Sequence, residues 1–257
     1  MSYSRFQSKI AVVSGGADGV GRAAALQFAR EGAKVGILDI LNDKGAEVAQ
    51  AIREAGGEAR FFRTDVSQQD QVRAGISGCI DAFERIDILF NHAGTVIVKP
   101  FLETTVQDWN RLMAINVTSM VHACQATIPH MLDQGGGAIV NTCSVSGLTA
   151  SALEAAYCVS KGACIQLTRA VAVEFRDRNI RCNGVCPALI RTAHGMREAE
   201  ELMAHGESWS EADVARMQGR ICEPEEVAAA AVFLASDEAS FINGEMLVVD
   251  NAQLATT

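Results

Sequence analysis

The chain reads as apolar runs bounded by turn residues and separated by stretches of helical periodicity. The runs are Lys9–Ser14, Lys34–Asp39, Ala59–Thr64, Asp87–Asn91, Ala138–Cys143, Ile180–Cys186 and Glu245–Val249. Between them the spacing predicts helices over Val20–Glu31, Asp43–Ala55, Gln68–Phe83, Thr105–Leu132, Ala155–Phe175 and Pro224–Ser236. A strand that is apolar on both faces must be covered on both faces, which is the condition of a parallel sheet flanked by crossover helices. Right-handed crossovers then predict an α/β fold, a doubly wound parallel sheet of about seven strands with helices on both sides. With 257 residues, 49% of them hydrophobic, and no linker-like stretch, the chain is expected to be one domain spanning 1–257.

Charge and cysteine usage narrow the partners. A formal charge of −9 argues against nucleic acid and anionic membrane, both of which require basic surface. No apolar run approaches the length of a bilayer span, and the N-terminal residues lack the apolar core of a signal peptide. The eight cysteines form no C-x-x-C motif and no histidine group has metal-ligand spacing. The expectation is a reduced, cytoplasmic, metal-free protein.

The first strand runs directly into the turn Ser14–Arg22, in which Gly15, Gly19 and Gly21 are spaced G-x-x-x-G-x-G. Glycines at a strand-to-helix turn let the backbone approach a pyrophosphate at the positive end of the helix, here opening at Val20. The second strand ends in Asp39, 18 residues beyond Gly21 and near the spacing at which a carboxylate accepts from an adenosine ribose, and Ile40 follows it at the same expected cofactor site. Asp18 adds a second negative charge. Both carboxylates disfavour a 2′-phosphate, so NAD is expected over NADP. Asp65-Val66, ending the third strand, lies at the rim of the same crevice; Asp65 either accepts from the adenine amino group or caps the next helix.

Further along, Asn91-His92-Ala93-Gly94 ends the fourth strand with small residues that permit close backbone approach. Asn116 stands inside an apolar helical run, where a buried amide needs partners. Ser144 falls just past the fifth strand, at the edge where ligands bind in such sheets. Thirteen residues later come Tyr157 and, four residues on, Lys161, stacked on one helix face. An ammonium beside a phenol favours the phenolate and readies the tyrosine for acid–base work.

These separated motifs, in this order, resemble the short-chain dehydrogenase/reductase family, a Rossmann-type fold, along essentially the whole chain. The resemblance implies hydride transfer between a nicotinamide and a secondary alcohol or ketone. Tyr157 would be the general acid/base, Ser144 would bind the reacting oxygen, and Lys161 would hold the nicotinamide ribose and lower the tyrosine pKa. Asn116 would hold a relay water. It also implies that Pro187, Ile190 and Thr192 adjoin the nicotinamide, with Asn91, Ala93 and Gly94 along the cofactor.

The family's usual Pro-Gly is Pro187-Ala188 here, so Ala188 is either strained or narrows the site. His92 replaces a usual Asn and is expected to be satisfied by backbone. The segment 188–223 has no clear strand and is expected to be a loop covering the substrate. Leu148, Leu153, Glu154, Ala188, His194, Met196 and Trp209 are the expected pocket residues. Glu154 either bonds a substrate hydroxyl or faces solvent, and the charges at Arg197, Glu198, Glu200 and Glu201 are read as a solvated helix face. The helices Thr105–Leu132 and Ala155–Phe175 are apolar on more than one face, which the resemblance links to a homotetramer. Rival readings are an NADP-dependent ketoreductase, an epimerase or dehydratase on the same fold, and a non-catalytic NAD-binding sensor.

Overall fold

The two-sided apolar runs become parallel strands in the computed structural model, which describes residues 4–255. They are β1 (Ile10–Ser14), β2 (Lys34–Asp39), β3 (Ala59–Arg63), β4 (Ile88–Asn91), β5 (Gly137–Thr142), β6 (Ile180–Pro187) and β7 (Met246–Val249). Every pairing is parallel and the order is β3-β2-β1-β4-β5-β6-β7. The winding therefore reverses between β1 and β4, and a crevice opens at their carboxyl ends.

Strand alternation explains the two cores. Along β1, Ala11 and Val13 point to one face and Val12 to the other. The first face is covered by α1 (Gly19–Arg30), α2 (Asn42–Glu54) and α9 (Pro224–Ala235), through residues such as Phe28, Val48, Ile52, Val227 and Ala231. The second is covered by α3 (Gln69–Phe83), α5 (Ser119–Asp133) and α6 (Ala155–Phe175), through Val72, Ile76, Ala123, Ile128 and Val171.

Two stretches differ from the sequence reading. The helix expected over Thr105–Leu132 is α4 (Val106–Leu112), a π-helical turn (Met113–Thr118) and then α5. Within it Ser119 N–H donates to Ala114 O, five residues back, so the helix carries one extra residue at Asn116. The segment 188–223 is not an irregular loop. It folds into α7 (Ala193–Ala204) and α8 (Glu211–Gln218), because each has a cap. Thr192 Oγ1 accepts from Gly195 N (3.0 Å), and Ser210 and Asp213 form a reciprocal capping box. Leu189, Ala199, Val214 and Ile221 give this pair of helices its own small core.

The helix that carries Tyr157 and Lys161 is set by a backbone contact. A Cβ on Gly147, in the 3₁₀ turn after β5, would lie 2.7 Å from the Lys161 carbonyl carbon and 2.8 Å from its oxygen. Main chain cannot swing aside. Gly147→Ala should destabilise the protein by about 1–3 kcal/mol in urea unfolding. Gly162→Ala, where the new methyl meets nothing nearer than 3.7 Å, should instead stabilise by up to about 1 kcal/mol.

Candidate active site

The crevice at the β1/β4 reversal is a cavity of about 760 Å³. One end is made of backbone. Gly15 has φ 68°, and a Cβ there would lie 2.8 Å from Ala93 Cα. Only glycine lets the turn close against β4, leaving a bare cradle of the kind a pyrophosphate needs. Gly19 is also left-handed (φ 50°) and, with Val20, Ala93 and Gly94, lines the cavity. Gly21 stands behind the wall, where a Cβ would overlap the Gly15 carbonyl; it permits α1 to pack on the turn.

Asp39 lies at the cavity with 8% exposure, and both its oxygens are engaged: Oδ2 accepts from Ala17 N and Oδ1 from Leu41 N, each at 2.9 Å. Each oxygen keeps a lone pair, so a ribose hydroxyl still has an acceptor. Asp18 is committed differently. Its Oδ1 caps α1 through Gly19 N (2.9 Å) and its Oδ2 pairs with Lys44 Nζ (2.6 Å), which holds its carboxyl below the usual range. Lys44, on α2, went unread in the sequence although it faces Asp18 across the turn. Ile40, Asp65 and Val66 line the same end. Asp65 Oδ1 accepts from Ser67 N and Ser67 Oγ, so its turn role is realised at the rim.

At the other end stand the reacting candidates. Ser144, Tyr157 and Lys161 line the cavity together, joined by Pro187, Ile190 and Thr192. The Ser144 hydroxyl reaches the Tyr157 phenol and favours its phenolate, but burial and the charges of Glu198 and Glu154 outweigh it, and the phenol is held well above its ordinary value. The expected lowering by Lys161 is therefore not what prevails. Lys161 Nζ stands 5.8 Å from the Tyr157 ring centre and donates to Thr142 O at 2.8 Å.

Asn116 is fully buried and does not reach the cavity wall. Its Nδ2 donates to Thr95 O (2.8 Å) and Ser160 Oγ (3.0 Å), and its Oδ1 accepts from Thr95 N (2.8 Å). A methyl on Gly94 would sit 3.4 Å from Asn116 Oδ1 and 3.6 Å from Lys161 Nζ, so both groups approach the bare side of Gly94. Asn91 turns away from the cavity: its amide donates to Asn141 Oδ1 (2.9 Å), whose own amide donates to Thr168 Oγ1 (2.9 Å), stitching β4, β5 and α6 together. His92 is satisfied by the Thr142 side chain (3.0 Å) rather than by backbone, and burial beside Lys161 and His194 pushes it down to about 3.

The substrate end corrects several expectations. Ala188, His194 and Trp209 line the cavity, and Ala188 lies outside the left-handed region, so its methyl narrows the site without strain. Leu148 is 41% exposed and outside the wall, because the turn carrying it faces outward. Met196 packs instead into the core between α7 and α8. Leu153 is left-handed (φ 64°) and packs behind Tyr157 with Val96, Val98 and Leu202. Glu154 does not face solvent: it is 1% exposed, just behind the wall. Glu198 is not on a solvated face either. Its side chain is 14% exposed and lines the cavity, one turn after His194. The signal was present, since Gly195, Ala199 and Leu202 mark the buried side of α7 and Glu198 shares it.

The chain has two tyrosines. In the cofactor-free protein, ultraviolet titration should show one phenol ionising above the ordinary value of about 10, and Tyr157→Phe should abolish that late component.

The family model described as enoyl-(acyl carrier protein) reductase matches residues 15–251. The chain is 37% identical to meso-2,3-butanediol dehydrogenase of Serratia marcescens, over 98% of this chain and 97% of that one. It is 38% identical to D-threitol dehydrogenase of Mycolicibacterium smegmatis, over 96% and 93%. The crystal structure of levodione reductase superposes with a TM-score of 0.93 at 29% identity, covering 98% of this chain and all of that one.

Proposed function

The chain belongs to the short-chain dehydrogenase/reductase family, and from that premise we propose that it transfers hydride between NAD(H) and a secondary alcohol or ketone, with Tyr157 as general acid/base. The observation that carries the reading is the grouping of Ser144, Tyr157 and Lys161 on one cavity whose far end is the bare Gly15–Ala93 cradle. A sensor has use for the cradle but none for a buried phenol with a hydroxyl at its oxygen. Similarity to dehydrogenases named for butanediol and threitol supports an alcohol as the small-molecule substrate.

When bound, the nicotinamide supplies or takes up the hydride. Tyr157 gives a proton to the carbonyl oxygen, or takes one from the alcohol, and Ser144 donates a hydrogen bond to the same oxygen. Lys161 holds the ribose hydroxyls and sets a positive charge against the burial and acidic neighbours that keep the phenol neutral. Asn116 positions Thr95 and Ser160. The lone pair left on its Oδ1, on the Gly94 side, is the acceptor for a relay water toward Lys161.

NAD is favoured over NADP because Asp39 brings a buried carboxylate to the cavity beside the turn, whereas Lys44 is spent on Asp18. Tyr157→Phe should lower turnover by about 10²–10⁴-fold while NADH binding, read by fluorescence, survives; retained turnover would sink the assignment. Asp39→Ala should weaken NADH about ten- to a hundredfold, and an unchanged preference would favour the NADP reading.

Val159 and Val173 on α6 are 53% and 65% exposed, and Val106 on α4 is 69% exposed. We read this apolar surface as the face of a homotetramer, placed in the cytoplasm in keeping with eight free cysteines. Light scattering should give four copies of the 27.3 kDa chain, and Val159→Glu with Val173→Glu should yield smaller species.

A further inference from the structure

Of the groups around the cavity, the carboxyls of Glu154 and Glu198 are not used by the chemistry above. Glu198 projects from α7 onto the cavity that Tyr157 and Ser144 also line, and its charge raises the Tyr157 phenol. Glu154 lies behind it at 1% exposure, and among the described residues neither of its oxygens meets a hydrogen-bond donor in bonding geometry. What stands within reach is the Glu198 carboxyl, with the Ser151 side chain beside it. The chain enters this arrangement through Leu153, held left-handed at φ 64° with its carbonyl accepting from Lys99 N–H at 2.7 Å. A non-glycine residue in that conformation is strained, and here the strain turns the following carboxyl inward.

Two buried carboxylates repel each other, whereas two carboxyls sharing one proton bond each other. Burial pushes both groups up, in the direction of sharing. Lys161 and Arg197 pull the Glu198 carboxyl down, but burial and the neighbouring Glu154 outweigh them. His194 Nε2 is 3.9 Å from Glu198 Oε2, but burial, Arg197 and Lys161 push the imidazole toward its neutral form. Arg197 is paired with Glu201 at 3.7 Å. Once the proton is shared, the oxygen of Glu198 left over on the cavity side is an acceptor without a donor.

We infer that Glu198, positioned by Glu154, accepts a hydrogen bond from a second hydroxyl of the substrate, so that the enzyme selects diols and polyols over plain secondary alcohols. This rests on the reading of Tyr157 as the group that acts on the first hydroxyl. A neutral hydroxyl suits the site better than an ammonium, because the pair with its shared proton carries a single negative charge that Lys161 and Arg197 already face, and a further cation would be repelled by both. Glu198 touches the substrate. Glu154 does not touch the substrate and acts on the second hydroxyl through Glu198.

The test compares kcat/KM for meso-2,3-butanediol and 2-butanol, with NAD, in the wild type and four variants. The wild type should prefer the diol by about tenfold or more. Glu198→Leu should lower the diol more than 2-butanol, bringing the ratio down about tenfold. Glu198→Gln should keep most of it, since its amide still donates to Glu154 and its oxygen still accepts. Glu154→Leu should lower the ratio and Glu154→Gln restore it. A wild-type ratio near one, or variants that lower both substrates alike, would overturn the inference and leave the hydride-transfer reading intact. So would a preference for 3-amino-2-butanol over the diol that is lost in Glu198→Gln, since that marks a cation site. Absence of turnover with every alcohol would overturn both readings together.

Discussion

The hydroxyl of Ser14 holds the two ends of the reversed sheet together. It accepts from His92 N at 3.1 Å and Ala93 N at 3.3 Å, so the last residue of β1 ties down the backbone leaving β4. These are the two strands between which the winding changes direction, and the clasp extends their pairing, which ends at Ser14 and Asn91, into the turns that depart to opposite sides. Gly15 then passes against Ala93 with no side chain between them. Because strands in a parallel sheet all end at one edge, this single closure sets the height at which Asp39, Ser144 and Pro187 meet the cavity.

The chemistry at the far end is a contest over one phenol proton. Burial is the largest influence on Tyr157 and keeps it protonated; Glu198 and Glu154 push the same way, and the Ser144 hydroxyl opposes them. Lys161 is close enough to matter, yet its ammonium is engaged by the Thr142 carbonyl. A site arranged like this holds its proton firmly and releases it when positive charge or a new hydrogen bond arrives. The acidic neighbours thus have two effects, on proton affinity and on what can lie beside the tyrosine.

The strands were legible because burial on both faces removes polar residues from a run, and turn residues bracket it. Gly15 and Gly19 were legible because few other residues adopt their backbone. What escaped has a common cause: it depends on which way a side chain turns once the helices are docked. Glu198 looks like a surface residue among Arg197, Glu200 and Glu201 until α7 is laid over Tyr157. Glu154 looks like an ordinary helix-start acid until Leu153 is found left-handed. The π-turn at Asn116 has no local signature beyond a polar residue in an apolar run, since it follows from bonds to Thr95 and Ser160 far away in sequence. The caps at Thr192 and Ser210 were readable in principle and show why 188–223 is helical.

On the NAD reading proposed above, Asp39 would couple cofactor choice to the integrity of the turn. The carboxylate that would receive a ribose also accepts Ala17 N–H and Leu41 N–H, one from the glycine turn and one from the entry to α2. Exchange of Asp39 for an apolar residue leaves two backbone donors without their acceptor. A change at this position is therefore felt by the glycine turn and by the entry to α2 as well as by whatever lies in the cavity.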